Sequence, residues 1–124
     1  MISIKIKAVT GTSLVLGATS LFPLSAFAHS QTQSTIPKAN AVLSKSPSSV
    51  QVTLNEPILS SGAALVVRSS NNLSVTSGKP KISGKTISVA LLPNLESSTY
   101  RVSYRVVSND GHVVTSSYKF TIKK

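Results

Sequence analysis

Three side chains in this sequence have the chemistry of a metal site. His29 directly follows Ala26-Phe27-Ala28, a small-x-small pattern of the kind signal peptidase accepts. Cleavage after Ala28 would give His29 a free α-amine beside its imidazole, a bidentate nitrogen donor. Asp110 and His112 stand at i and i+2, a spacing that places both side chains on one face of extended chain. Together the three residues offer an amine, two imidazoles and a carboxylate. Such a nitrogen–oxygen set suits Cu(II), which heads the divalent affinity order, with nickel and zinc the commoner competitors. The chain has no cysteine and its only methionine is Met1, so support for Cu(I) is slight. Each residue also has a plainer explanation. Asn109-Asp110-Gly111 is a good hairpin turn without any ligand role, and either histidine can be an exposed polar residue.

The elements that must position these groups read as strands. Val50–Leu54 and Thr86–Leu91 alternate apolar and polar residues, the period of a half-buried strand. Ala63–Arg68 is a further strand, and Leu73–Thr76 is expected to form a short one after the Asn71-Asn72 turn. Tyr100, Val102, Tyr104 and Val106 fall on one face of a long run, and Tyr118, Phe120 and Ile122 do the same on the run from Val113 to Ile122. His29–Thr35 is polar, fit for an edge strand or an extended arm. Glu56-Pro57 closes one strand, because proline cannot donate to a ladder. Six or seven strands with turn signals about every ten residues predict an all-β sandwich with no convincing helix.

Residues 1–28 read as an export signal: Lys5 and Lys7, then an uncharged stretch from Ala8 to Leu24, then the Ala-x-Ala site. The stretch is too polar and broken for a spanning helix. Its removal would leave residues 29–124 as one small domain outside the cytoplasm, periplasmic or in the cell envelope. Only Glu56, Glu96 and Asp110 are acidic against thirteen lysines and arginines, a net charge of +10. The basic residues are scattered along the sequence, and only Lys123-Lys124 are adjacent after the leader. Without a basic block or an aromatic-rich motif, this reads as a solvated surface rather than a nucleic-acid interface.

From His29 onward the sequence resembles the CopC-type periplasmic copper-binding, copper-resistance proteins. Thr35-Ile36-Pro37-Lys38-Ala39-Asn40-Ala41-Val42-Leu43 is similar to the family's S-x-P-x-x-x-A-x-L segment, and Val50–Pro57 to its V-x-L-x-F-S-E-P strand. Tyr100–His112 resembles Y-R-V-x-W-R-V-V-S-x-D-G-H. The resemblance implies an immunoglobulin-like Greek-key β-sandwich of about seven strands, binding Cu(II) through His29, Asp110 and His112. It further implies that Glu56 supports the N-terminal amine or a ring from behind. The chain departs from the family where many members carry a second histidine, here Gln31, and in having no methionine between Leu59 and Val75.

The expected function is therefore a non-catalytic, exported Cu(II) carrier for copper homeostasis or resistance. It would be a monomer that sequesters copper or passes it to a CopD-like inner-membrane transporter. Two other classes are a histidine-brace copper monooxygenase and an immunoglobulin-like adhesion module with incidental histidines. The short domain and the lack of an aromatic substrate face speak against the first. Failure to hold Cu(II) against a moderate chelator would favour the second.

Overall fold

The computed structural model describes residues 31–124, which form two four-stranded sheets packed face to face. The strands in chain order are β1 (Thr32–Ile36), β2 (Val42–Leu43), β3 (Ser49–Leu54), β4 (Ala64–Arg68), β5 (Thr76–Ser83), β6 (Thr86–Leu91), β7 (Ser98–Val107) and β8 (Val113–Ile122). One sheet runs β1-β3-β6-β5 and the other β2-β8-β7-β4. All pairings are antiparallel except β2 with β8, which is parallel. Strands β3 and β6 pair although the chain visits the other sheet between them. This is the Greek-key order of an immunoglobulin-like sandwich whose first strand is split between the sheets.

The alternating residues meet between the sheets. Val50, Val52 and Leu54 from β3 and Ile87, Val89 and Leu91 from β6 face Leu65 and Val67 of β4, with Tyr100, Val102, Tyr104 and Val106 of β7 and Phe120 and Ile122 of β8. Each buried aliphatic contributes on the order of 1.5–3 kcal/mol of transfer free energy. Tyr100 stacks on Phe120 with ring centroids 5.5 Å apart. Its hydroxyl donates to the Glu96 carbonyl at 2.6 Å, pinning the loop that delivers β7. This is the tyrosine corner common in such sandwiches.

Two local expectations change. The expected short strand Leu73–Thr76 does not form: Leu73–Val75 lie outside any strand, with one isolated bridge from Ser74 to Arg68, and the strand begins only at Thr76 and runs on to Ser83. Gly78 and Pro80 hide β5 from sequence reading, since both are poor strand residues. They are tolerated because β5 is an edge strand and its register with β6 slips between Ser77 and Lys81. Strand β2 brings the total to eight among the described residues. Its two residues, which look like apolar insertions in a turn, add to the edge at β8 through Thr121 N–H to Ala41 and Lys123 N–H to Leu43, both 2.8 Å.

Phe120→Ala should destabilise the domain by about 3–5 kcal/mol, because it empties a fully buried site. Tyr100→Phe should cost only about 1 kcal/mol, the net value of one hydrogen bond. Urea denaturation of the two variants checks both the sizes and their order.

Candidate metal centre

The β7–β8 hairpin is paired over ten residues, from Ser98 with Ile122 to Val107 with Val113. It closes through Ser108–His112. Gly111 N–H donates to the Ser108 carbonyl and Ser108 N–H to the His112 carbonyl, both at 2.9 Å. Gly111 sits at φ +87°, the left-handed conformation that ends a three-residue hairpin loop and that glycine takes without steric cost. The turn reading of Asn109-Asp110-Gly111 is therefore correct, and the turn is also what brings two potential metal donors together.

Asp110 and His112 are in direct contact. His112 Nδ1 lies 2.9 Å from Asp110 Oδ2, and the His112 backbone N–H donates to Asp110 Oδ1 at 3.1 Å. A proton on Nδ1 fixes the tautomer that leaves the Nε2 lone pair for a metal, the usual arrangement for a histidine oriented by a carboxylate. The Ser108 hydroxyl also donates to Asp110 Oδ1. Ser108 is the one fully buried polar residue among the described residues, and its contacts hold the carboxylate from the core side. Asp110 is consequently held well below the usual carboxylate range, first by the Ser108 hydroxyl and then by the His112 N–H and ring, against an opposing effect of desolvation. Sequence reading missed the role of Ser108. Its place two residues before Asp110 was visible, but its burial was not.

Glu56 is half-buried in the segment that carries the chain from β3 of one sheet toward β4 of the other. On one side of it, Asn55 N–H donates to the Gln31 carbonyl at 3.0 Å, and Gln31 N–H donates to Asn55 Oδ1 at 2.8 Å. On the other, Asn109 N–H donates to the Pro57 carbonyl at 2.8 Å, and Ile58 bridges Ser108. The segment Asn55–Pro57 therefore touches both the start of the described chain and the loop holding Asp110. A hydroxyl contact reinforces the approach, with Thr32 Oγ1 and Tyr104 Oη 2.5 Å apart across the two sheets.

His29 and the expected leader, residues 1–28, lie outside the described residues. Among the described residues no group of three or more His, Cys, Asp or Glu side chains comes together; Asp110 and His112 make a pair. The pair fits a metal in kind. The carboxylate is kept ionised, one imidazole is oriented, and neither contributes sulfur.

Residues 32–123 match the model of the CopC domain, and the chain belongs to that family. It is 34% identical over 120 residues to copper resistance protein C of Xanthomonas campestris pv. juglandis, covering 90% of this chain and 94% of that one. It is 32% identical over 131 residues to copper resistance protein C of Escherichia coli, covering 98% and 99%. The copper transport protein CutJ of Bacillus subtilis is 31% identical over 105 residues, 82% of this chain but only 19% of CutJ. In fold, the chain is similar to the crystal structure of CopC from Methylosinus trichosporium OB3b, with a TM-score of 0.69 at 24% identity over 77% of this chain and 94% of that one. The methionine-rich copper resistance protein PcoC of E. coli gives 0.65 at 24% identity, over 77% and 100%.

Ser108→Ala should raise the Asp110 pKa toward the ordinary value of about 3.9. Because the folded-state pKa is depressed, the contacts of ionised Asp110 stabilise the hairpin fully above the unfolded value and are lost as pH falls toward the folded one. In Ser108→Ala that loss should be smaller and should be complete at higher pH. Carboxyl-carbon NMR titration of Asp110 in the two proteins reads the shift directly.

Proposed function

We propose that this chain is an exported copper-binding protein that holds Cu(II) through His29, Asp110 and His112 and serves copper homeostasis or resistance. The observation that carries the reading is the convergence at Asn55–Pro57. Gln31 is bonded to one side of this segment and Asn109 to the other. His29 precedes Gln31 by two residues, so the chain allows it no more than about 7 Å of further travel. Its amine and imidazole are thus within covalent reach of the end of the sandwich where Asp110 and His112 stand. Relatives named for copper resistance and copper transport support copper as the cargo.

In this reading the N-terminal amine and His29 ring supply one chelate, and His112 Nε2 supplies a third nitrogen. Asp110 orients the His112 ring, and its ionised oxygens can accept more than one contact each, so a bond to the metal is compatible with that task. Glu56 stands behind the site in the segment that both arms touch. The oxidation state follows from hardness: PcoC is described as methionine-rich, whereas this chain has only Met1 and no cysteine. Imidazole, amine and carboxylate favour Cu(II) over Cu(I).

The role is storage or hand-over without catalysis. Export would follow cleavage after Ala28, placing residues 29–124 in the periplasm or cell envelope, with a CopD-like membrane transporter as the recipient. The match within the longer CutJ supports a link to transport, since there a region similar to this chain is one part of a copper transport protein. No helix among the described residues is long and apolar enough to cross a membrane.

Protein beginning at His29 should bind one Cu(II) with a nitrogen-rich EPR signature. One extra residue ahead of His29 leaves every side chain in place but converts the amine to an amide. It should weaken binding by at least 100-fold in competition with a chelator, and His112→Ala should do likewise. Affinity should also fall as pH is lowered, because a metal takes its nitrogen donors deprotonated and protons compete for them. Equal binding by the native and extended proteins would remove His29 from the site.

A further inference from the structure

Basic residues far apart in the sequence are gathered by the second sheet. Arg68 of β4 pairs in register with Arg101 of β7, and Arg101 pairs with Lys119 of β8. All three are exposed, on the face of the sheet turned away from the core. Neighbouring strands are about 4.8 Å apart, so three cations stand side by side over roughly 10 Å. Like charges directly opposite one another destabilise a sheet. None of the three is paired with a carboxylate among the described residues. Arg68 donates from Nη1 to the Asn72 carbonyl at 3.2 Å, which keeps its guanidinium at the row.

The row is not a flat surface. It lines a depression of about 430 Å³ whose remaining wall includes the hydroxyl residues Ser69, Ser70 and Thr99. That volume lies within the range of small-ligand sites. Arg105, on the same face four residues further along, is engaged elsewhere, donating from Nη1 to the Gly62 carbonyl at 2.9 Å. The cation set is therefore local to one end of β7. From Arg101 to Ser108 is seven residues, or about 23 Å of strand, so this depression lies well away from the Asp110–His112 loop.

We propose that this depression is a binding site for a phosphate group, with Arg68, Arg101 and Lys119 as its cationic donors and the Ser70 and Thr99 hydroxyls as neutral ones, the Ser69 hydroxyl being donated to Asn71. Planar guanidinium forks match phosphate oxygens two at a time, and an ammonium adds a point charge beside them. A bound dianion relieves the repulsion along the row, so ligand binding and sheet stability rise together. Tyr100, Tyr104 and Phe120 are buried and Tyr118 packs against the core, which leaves no aromatic platform on this face among the described residues for stacked bases. The ligand class is thus a phosphate ester, either a free phosphomonoester or a phospholipid headgroup.

The test is an amide-shift titration of the purified, copper-free protein with inorganic phosphate and with glycerol phosphate, at ionic strength held constant with chloride. Alongside it runs co-sedimentation with vesicles of phosphatidylglycerol or of phosphatidylcholine. Saturable shifts centred on Arg68, Arg101 and Lys119 are expected. Arg101→Gln and Lys119→Gln should each weaken binding at least tenfold, whereas Lys85→Gln, which removes the same charge from a turn of the other sheet, should change it less than twofold. Saturation by the soluble phosphates without vesicle binding identifies a free ligand. Binding to phosphatidylglycerol alone, lost in Arg101→Gln, identifies a headgroup. Shifts that never saturate on soluble phosphate, together with vesicle binding that is absent or weakened equally by Lys85→Gln and Arg101→Gln, would reduce the effect to net charge and overturn the proposal. Cu(II) binding should be unchanged in Arg101→Gln, so failure here leaves the copper reading untouched.

Discussion

The end of this sandwich that carries Asp110 and His112 depends on the backbone hydrogen bonds of one short crossing, Asn55–Leu59. Its first residue bonds to Gln31 and Pro57 accepts from Asn109. Ile58 N–H then donates to Gly84 in the first sheet and Leu59 N–H to Val107 in the second, at 2.9 and 2.8 Å. Ile58 of this crossing is buried, so its N–H needs a partner within the protein, and together with the Leu59 bond it ties the two sheets to each other. Proline at 57 suits this place because its carbonyl, not an N–H, is what the Asn109 loop needs. The crossing thereby fixes the distance between β1 and the β7–β8 loop, which is the distance a site shared by the two ends must respect.

Within that frame, the Asp110–His112 pair is an arrangement of local parts. Ser108 is buried, yet it is polar, so its hydroxyl has to find a partner; Asp110 is the acceptor it finds. The same carboxylate takes the His112 N–H and faces the His112 ring. Each contact favours the ionised acid, and an ionised acid in turn favours an imidazole proton on Nδ1. In the proposed copper site, preorganisation of this kind would reduce what the metal must do on arrival, because the His112 ring is already oriented.

The second sheet divides its work along its length. At one end β7 and β8 run into the loop with the acid and the histidine; toward the other their outward faces join β4 in a row of three cations. With only three acids in the whole chain, there is little negative charge to neutralise such a row internally. Repulsion between facing cations is a standing cost to the fold, borne by a core in which Phe120 and Tyr100 anchor the same two strands.

Much of this was legible in the sequence. Clean alternation in Val50–Leu54, Thr86–Leu91 and Tyr100–Val106 determined the strands and their buried faces, because side chains alternate with a period of two whatever the tertiary context. The Asn-Asp-Gly loop determined a turn, since glycine alone tolerates its last position easily. Strand β5 was not legible, because Gly78 and Pro80 argue against a strand and only an edge position with a slipped register accommodates them. The supporting role of Ser108 was hidden because burial, not residue type, forces its hydroxyl onto Asp110. The scattered charges were misleading for a related reason: Arg68, Arg101 and Lys119 are separated along the chain, and only cross-strand register makes neighbours of them. The sequence by itself determined which residues point inward and where the chain turns, since these follow from local periodicity. Tertiary structure decided which outward residues meet, because pairing between strands distant in the chain leaves no local trace.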